Sequence, residues 1–265
     1  MNAIVHTLPP TASGFDRWQL PAHVAQAVWR GTELGGTNGR ALSTGYEALD
    51  AALPGGGWPT QGLSEVLLAQ AALCEWRLLG PALPGFLADR NSRIYLVAPP
   101  KAPHAMGLAQ LGLAPEQLVW IDVQGPADSL WVTEQLIKSE ASGAVLAWLP
   151  QARPEQVRRL QVLALHCDAP VFLFRPESAL RDASPAPLRV SVALGESWGL
   201  EVRIRKRRGA STDAVLHLEA VPGNLHSVLP PRLRALPAPG MQPQEETHAL
   251  GRPATATAAR LRIAH

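Results

Sequence analysis

Between Leu42 and Leu68 the chain reads LSTGYEALDAALPGGGWPTQGLSEVLL, and this stretch restricts the fold more tightly than any other. Leu49, Ala52 and Leu53 recur at helical spacing, with Ser43 or Thr44 placed to cap, so a short helix is expected. Gly55, Gly56 and Gly57 follow, then Trp58, Pro59 and a turn ending at Gly62. Glycine reaches backbone conformations closed to other residues, so the triplet predicts a tight, shaped loop. Val66, Leu67 and Leu68 form an apolar run short enough for a buried strand.

That order of helix, glycine loop, turn and buried strand resembles the start of the ATPase core of RecA-like recombinases. The residues carrying the likeness are Ser43, Thr44, Gly45, Leu49, Asp50, Leu53, Gly56, Gly57, Pro59, Gly62 and Glu65. The resemblance implies a phosphate loop directly afterwards. A working loop reads GxxxxGK[ST]: backbone N–H groups cradle phosphates, Lys reaches the terminal phosphates and a hydroxyl holds magnesium. This chain has Leu68-Ala69-Gln70-Ala71-Ala72-Leu73-Cys74-Glu75, with Cys74 at the lysine position and Glu75 at the hydroxyl position. A carboxylate there is expected to repel a phosphate.

Beyond this point short apolar runs alternate with helical patterns. Strands are expected over 94–98, 118–122, 144–149 and 171–174, and helices over 103–111, 129–140 and 154–165. Trp76 to Arg90 reads as a helix broken at Pro81 and Pro84. Such a rhythm predicts an α/β fold with a mostly parallel sheet covered by helices on both faces. Residues 188–194, 200–206 and 214–219 alternate apolar with polar and are expected as antiparallel strands at the sheet edge. A parallel sheet followed by antiparallel strands is also the RecA-like order. The domain reading is an irregular N-terminus over 1–20, a helix and glycine linker over 21–39, a degenerate RecA-like core over 40–221, and a Pro/Ala-rich tail over 222–265 expected to be disordered.

A RecA-like enzyme also needs an acid at the end of a buried strand to hold magnesium through water. By order of elements that strand is 144–149, which ends without a carboxylate; Asp122 ends an earlier strand and reads as a turn residue. In RecA a Gln ends the later core strand, where Arg175 stands here. Three linked departures predict a protein that does not turn over ATP, binds no nucleotide cofactor and is not an enzyme.

Composition adds bounds. The chain has 265 residues, 46% of them apolar and 17% charged, with a net charge of +2, so a full core is available and no global field attracts polyanions. Any nucleic-acid contact must come from a local cluster. One exists in GLEVRIRKRRGAS: Arg203, Arg205, Arg207 and Arg208 with Lys206, on a strand whose other face is Leu200, Val202 and Ile204. Arg175, Arg181 and Arg189 flank it from the segment that takes the place of the second DNA-binding loop of RecA-like proteins. Such a comb of guanidinium groups is either a solvated strand face or a surface for the phosphates of single-stranded DNA, without aromatic residues for base stacking. Cys74 and Cys167 carry no CxxC or His-spaced pattern, so neither a metal nor a disulfide framework is expected, and a reducing cytoplasmic location follows. His166-Cys167-Asp168 reads as a helix end rather than a nucleophile with its base, since sequence neighbours on a helix do not face each other. A signal peptide and an 18-residue apolar span are both absent from the sequence, so no membrane is expected. In PAHVAQAVWRGTE, Val24 and Val28 share an apolar face beside Trp29, a docking surface for its own core or a neighbouring protomer.

Over residues 21–220 the chain most resembles the ImuA proteins, through VWRG, the 42–68 stretch, CEWRLLGPAL and GLEVRIRKRRG. That resemblance implies an accessory role in SOS-induced mutagenic translesion DNA synthesis. Its implied partners are an ImuB-type, Y-family-like protein, an error-prone DNA polymerase and RecA. Some members of this group are described as SulA-like division inhibitors, which implies a tubulin-like GTPase as the alternative partner. A weak DNA-dependent ATPase is the third reading and fits the missing lysine and acid poorly.

Overall fold

A computed structural model describes residues 40–139, 142–209, 214–221 and 225–230. The expected N-terminal regions 1–20 and 21–39 and most of the 222–265 tail lie outside the described residues.

The chain begins with a two-residue strand, β1 (Ala41–Leu42), paired antiparallel with β2 (Trp58–Pro59). Between them lies the short helix α1 (Glu47–Ala52). Neither Ser43 nor Thr44 caps it in the expected way: Tyr46 is the residue before the first turn. The carboxylate of Asp50 reaches back instead, accepting from Ser43 Oγ at 2.6 Å and from the Thr44 N–H at 2.7 Å. Gly45, at φ +79°, brings the backbone so close to Pro81 that a Cβ would stand 2.4 Å from that ring. Gly57 likewise lies against β1, where a Cβ would meet Leu42 O at 2.1 Å. These two positions explain the glycine requirement better than flexibility does.

β3 (Leu63–Leu68) follows, and all six residues are buried. Next come α2 (Glu75–Leu79), a 3-10 turn (Gly80–Ala82) and α3 (Leu83–Phe86): the helical stretch breaks at Pro81 as expected, whereas Pro84 sits in the first turn of α3 and breaks nothing. The remaining elements are β4 (Arg93–Val97), α4 (Ala105–Gln110), β5 (Leu118–Ile121), α5 (Pro126–Lys138), β6 (Gly143–Trp148), α6 (Pro154–Ala164), β7 (Val171–Pro176), β8 (Leu188–Leu194), β9 (Gly199–Lys206), β10 (Val215–Glu219) and α7 (Leu225–Val228). α5 starts at Pro126, earlier than expected, because Pro is well suited to a helix's first turn.

Eight strands form one sheet in the order β10-β9-β8-β3-β7-β6-β4-β5. β3 is its centre, parallel to both β7 and β8. A strand buried on both faces reads as a continuous apolar run, which is why this segment stands out in the sequence. β8 corrects the expectation of three antiparallel edge strands: it joins the parallel set, while β9 runs against it and β10 pairs antiparallel with β9.

Strand alternation divides the core in two. Val66, Leu96, Leu146, Phe172 and Phe174 face a cluster with Leu49, Trp58, Leu78 and Phe86. Leu63, Val97, Val145, Val171 and Leu173 face the other, with Leu130, Ile137, Val157 and Leu160 of α5 and α6. Trp58 and Phe172 meet edge to face at 5.2 Å, both fully buried. Side chains of this kind each contribute roughly 1.5–3 kcal/mol by burial.

Candidate functional site

The turn between β3 and α2 is where the RecA-like resemblance places a phosphate loop. It contains no glycine, yet Ala72 adopts φ +65°. The backbone thereby turns its N–H groups inward, and a buried carboxylate meets them. Glu75 Oε1 accepts from the Ala72 N–H at 2.7 Å and Oε2 from the Cys74 N–H at 3.1 Å. A third donor comes from across the sheet: Trp148 Nε1–H at the end of β6 reaches Glu75 Oε1 at 3.0 Å. Trp148 is held by stacking on Phe174, with centroids 4.7 Å apart. Glu75 is 2% exposed. Convergent backbone N–H groups are the means by which such loops hold phosphate. Here the anion is the chain's own carboxylate, so the expected repulsion takes the form of occupation.

This arrangement also links the two departures seen in the sequence. Glu75 stands at the hydroxyl position of the loop, and Trp148 closes the strand expected to supply the acid. Each satisfies the other. Burial pushes the Cys74 thiol up, the Glu75 carboxylate adds to the rise, and Arg77 opposes it. A thiol held in its neutral form is a poor nucleophile.

A second buried charge cluster lies further back on β3. Glu65 is fully buried; Arg175 Nη1 donates to its Oε1 at 2.7 Å, and Arg189 Nε makes a charge contact with its Oε2 at 2.6 Å. Arg175 Nη2 also donates to Ala152 O at 2.7 Å and Asp182 Oδ2 at 2.9 Å, while Arg189 reaches Ala179 O and Asp182 O. Arg175 and Arg189 therefore do not belong to an exposed basic surface. They pin the segment between β7 and β8 to the sheet, which corrects the placement of Arg175 among DNA contacts.

The basic strand divides as well. Arg203 and Arg205 are exposed, opposite the buried Val202 and Ile204, as the alternation predicts. Arg205 donates to Ser191 Oγ at 2.9 Å and sits at a register shift between β8 and β9, and such bulges re-aim side chains. Arg207 leaves the comb: half-buried, it donates from Nη1 to Ala52 O at the end of α1. A cation there complements the helix C-terminus. Arg208 and Arg181 are exposed. Glu177 and Glu201 line the same groove as Arg203 and Arg205, so that face carries both signs.

Among the other sequence candidates, Cys167 is buried and its carbonyl accepts from the Gln61 N–H. Asp168 accepts from Gln61 Nε2 at 3.0 Å, so it is engaged with the turn before β3. Asp122 follows the edge strand β5 and accepts from Gln124. Val24, Val28 and Trp29 lie outside the described residues. Among the described residues no group of three or more His, Cys, Asp or Glu side chains is placed to hold a metal ion, and no helix is long and apolar enough to cross a membrane. Neither a protein-family model nor a curated protein matches the chain.

Sequence reasoning named Glu75 as a charge that repels phosphate, but it foresaw neither its internal hydrogen bonds nor the part of Trp148. Glu75 had a signal, since a carboxylate at a helix N-terminus is favourable. Trp148 had none, because its partner lies 73 positions away.

Proposed function

We propose that this chain is a non-catalytic, RecA-like accessory protein of SOS-induced mutagenic translesion DNA synthesis. It acts as an adaptor between an ImuB-type, Y-family-like partner and an error-prone polymerase, with RecA or single-stranded DNA as a further contact. The reading is carried by one observation: Glu75 fills its own anion cradle with donors from Ala72, Cys74 and Trp148. A phosphate entering that loop must displace a buried carboxylate that already has three donors. Two further features support the RecA-like part. The first core strand lies centrally among parallel neighbours, and an antiparallel strand follows the parallel series. Exposed Arg203, Arg205 and Arg208 supply the DNA contact in this reading.

The test has two arms. Purified protein given ATP, magnesium and single-stranded DNA should release phosphate no faster than a protein-free blank. DNA-stimulated turnover that disappears in Glu75→Ala, in a preparation free of recombinase, overturns the non-catalytic part. Affinity capture from DNA-damaged cells should recover the polymerase-like partner and the polymerase. Recovery of a tubulin-like division GTPase in their place transfers the chain to the SulA-like reading.

A further inference from the structure

The hairpin joining β8 to β9 turns through Glu196, Ser197, Trp198 and Gly199, and the Gly199 N–H closes it on Glu196 O at 2.7 Å. Its two central residues both take the left-handed backbone region, Ser197 at φ +48° and Trp198 at φ +67°. Asn and Gly are the usual occupants of such a turn, and a bulky residue there is an outlier. Arg77 holds the outlier in place, donating from Nη2 to Trp198 O and, at 3.2 Å, to Gly199 O. The result is an indole presented at a hairpin tip, 43% exposed, with Leu194 half exposed at the base of the same turn. Residues held in such conformations cluster at sites of function.

Beside the tip lies a cleft of about 440 Å³, between α1, α2, α4 and the end of β10. Trp76 and Leu111 give it apolar walls, while Arg77, His104, Gln110 and Glu219 give it charge and hydrogen-bonding groups. The two features adjoin: Arg77 belongs to the cleft and holds the tip, and Glu219 on the rim pairs in register with Gly199. A mixed lining of this kind suits an indole, an apolar body with a polar N–H, and an Arg guanidinium is a favourable neighbour for the ring face. Donors and acceptors match as well. At the tip, the Trp198 indole N–H and the Glu196 carboxylate have no partner among the described residues, and neither has the Glu219 carboxylate at the cleft. His104 accepts from the Gly107 N–H through Nδ1, which leaves Nε2–H as a donor. The tip thus offers one donor and one acceptor, and the cleft offers the complement.

We infer that this face is where two copies of the chain pair, each Trp198 seated in the cleft of the other. Anchor and receptor stand side by side on one surface, so a two-fold axis between them forms both contacts at once and closes the assembly. A foreign partner would have to supply an anchor and a cleft of its own. In the pair, the Trp198 indole N–H donates to Glu219 of the partner subunit, and Glu196 accepts from His104 of the partner subunit. Two anchors with few other contacts make a small interface, so association is weak and concentration-dependent. The inference is independent of the translesion role.

The test is the mass of the full chain by sedimentation velocity between about 1 μM and about 1 mM. Wild-type protein should pass from monomer to dimer across that range and grow no further. Trp198→Gly removes the anchor and suits the left-handed turn, so it should melt no lower than wild type while its association weakens at least about tenfold. Glu219→Lys, on the exposed rim, should weaken association about threefold with unchanged melting. Cross-linking locates the contact, since native Cys74 and Cys167 are buried. Ser197→Cys mixed with Gln110→Cys should give disulfide-linked heterodimers at least about tenfold faster than Ser197→Cys mixed with Val162→Cys, on α6 across the sheet. Monomer throughout the range overturns the pairing, and so does a dimer that Trp198→Gly leaves intact. Growth beyond a dimer overturns the two-fold arrangement. Equal cross-linking rates overturn the seat.

Discussion

Two carboxylates within ten positions of each other are buried in opposite ways. Glu65, in the middle of β3, is neutralised by Arg175 and Arg189. Glu75, just beyond the same strand, is held by two backbone N–H groups and an indole N–H, and no salt bridge to it exists among the described residues. A buried charge must be paired or richly hydrogen-bonded. Glu65 uses the first solution and fixes the loop between β7 and β8. Glu75 uses the second and fixes the turn that would otherwise be open to an anion. The difference decides what each loses on mutation: removing Glu65 strands two cations, whereas neutralising Glu75 strands only neutral donors.

The largest effect should therefore come from Glu65→Ala. Leaving two buried guanidinium groups without their anion should cost about 3–5 kcal/mol, read by urea unfolding. A loss under about 1 kcal/mol would mean that water or a rearranged Asp182 compensates, and the contrast would fail.

Glu75→Gln should cost less, about 1–3 kcal/mol, because the amide nitrogen is set against an N–H donor. Trp148→Phe should cost about 1 kcal/mol alone, and the double mutant should lose less than the sum. Strict additivity would separate the two departures that the structure joins.

Tyr46→Phe probes the bond that ties the start of α1 to Arg77 of α2, two residues beyond Glu75. Burial, partly opposed by Arg77, raises the Tyr46 hydroxyl from its ordinary 10.0 to about 12. Between those values the folded chain keeps a proton that the unfolded chain releases. The contribution is complete below pH 10.0 and is lost as pH rises toward about 12. Tyr46→Phe should cost about 1 kcal/mol at neutral pH through the lost bond to Arg77 O and should flatten the alkaline decline. An unchanged decline would assign it to other groups.

The smallest effect on folding belongs to Arg203→Gln with Arg205→Gln, within about 0.5 kcal/mol because both are exposed. If that face binds single-stranded DNA, the slope of log affinity against log salt should flatten by about 1.4, two contacts at about 0.7 each. Adding Arg207→Gln should instead weaken the end of α1 and leave the slope alone. A further flattening would return Arg207 to the comb.

The alternation of apolar runs with helical patterns, the continuous burial of β3 and the break at Pro81 were legible because they are local. Burial on both faces, period 2 and the missing proline N–H act within a few residues. The comb at 203–208 was half legible. Period 2 placed Arg203 and Arg205 correctly, but it could not foresee that Arg207 bends to Ala52 O or that Glu177 and Glu201 share the groove. Arg175 looked like a surface cation because composition carries no burial. Its partners Glu65, Ala152 and Asp182 come from three separate segments.

By itself, then, the sequence determined an α/β chain in which the turn after the central strand carries no lysine, hydroxyl or glycine. Only the tertiary structure decided that the loop is filled rather than empty. The donor that completes Glu75 sits on Trp148, and sheet order alone brings β6 to that point. Side-chain satisfaction across a sheet is a long-range property, fixed when β7 carries β6 to within reach of β3's end and by nothing in either segment alone.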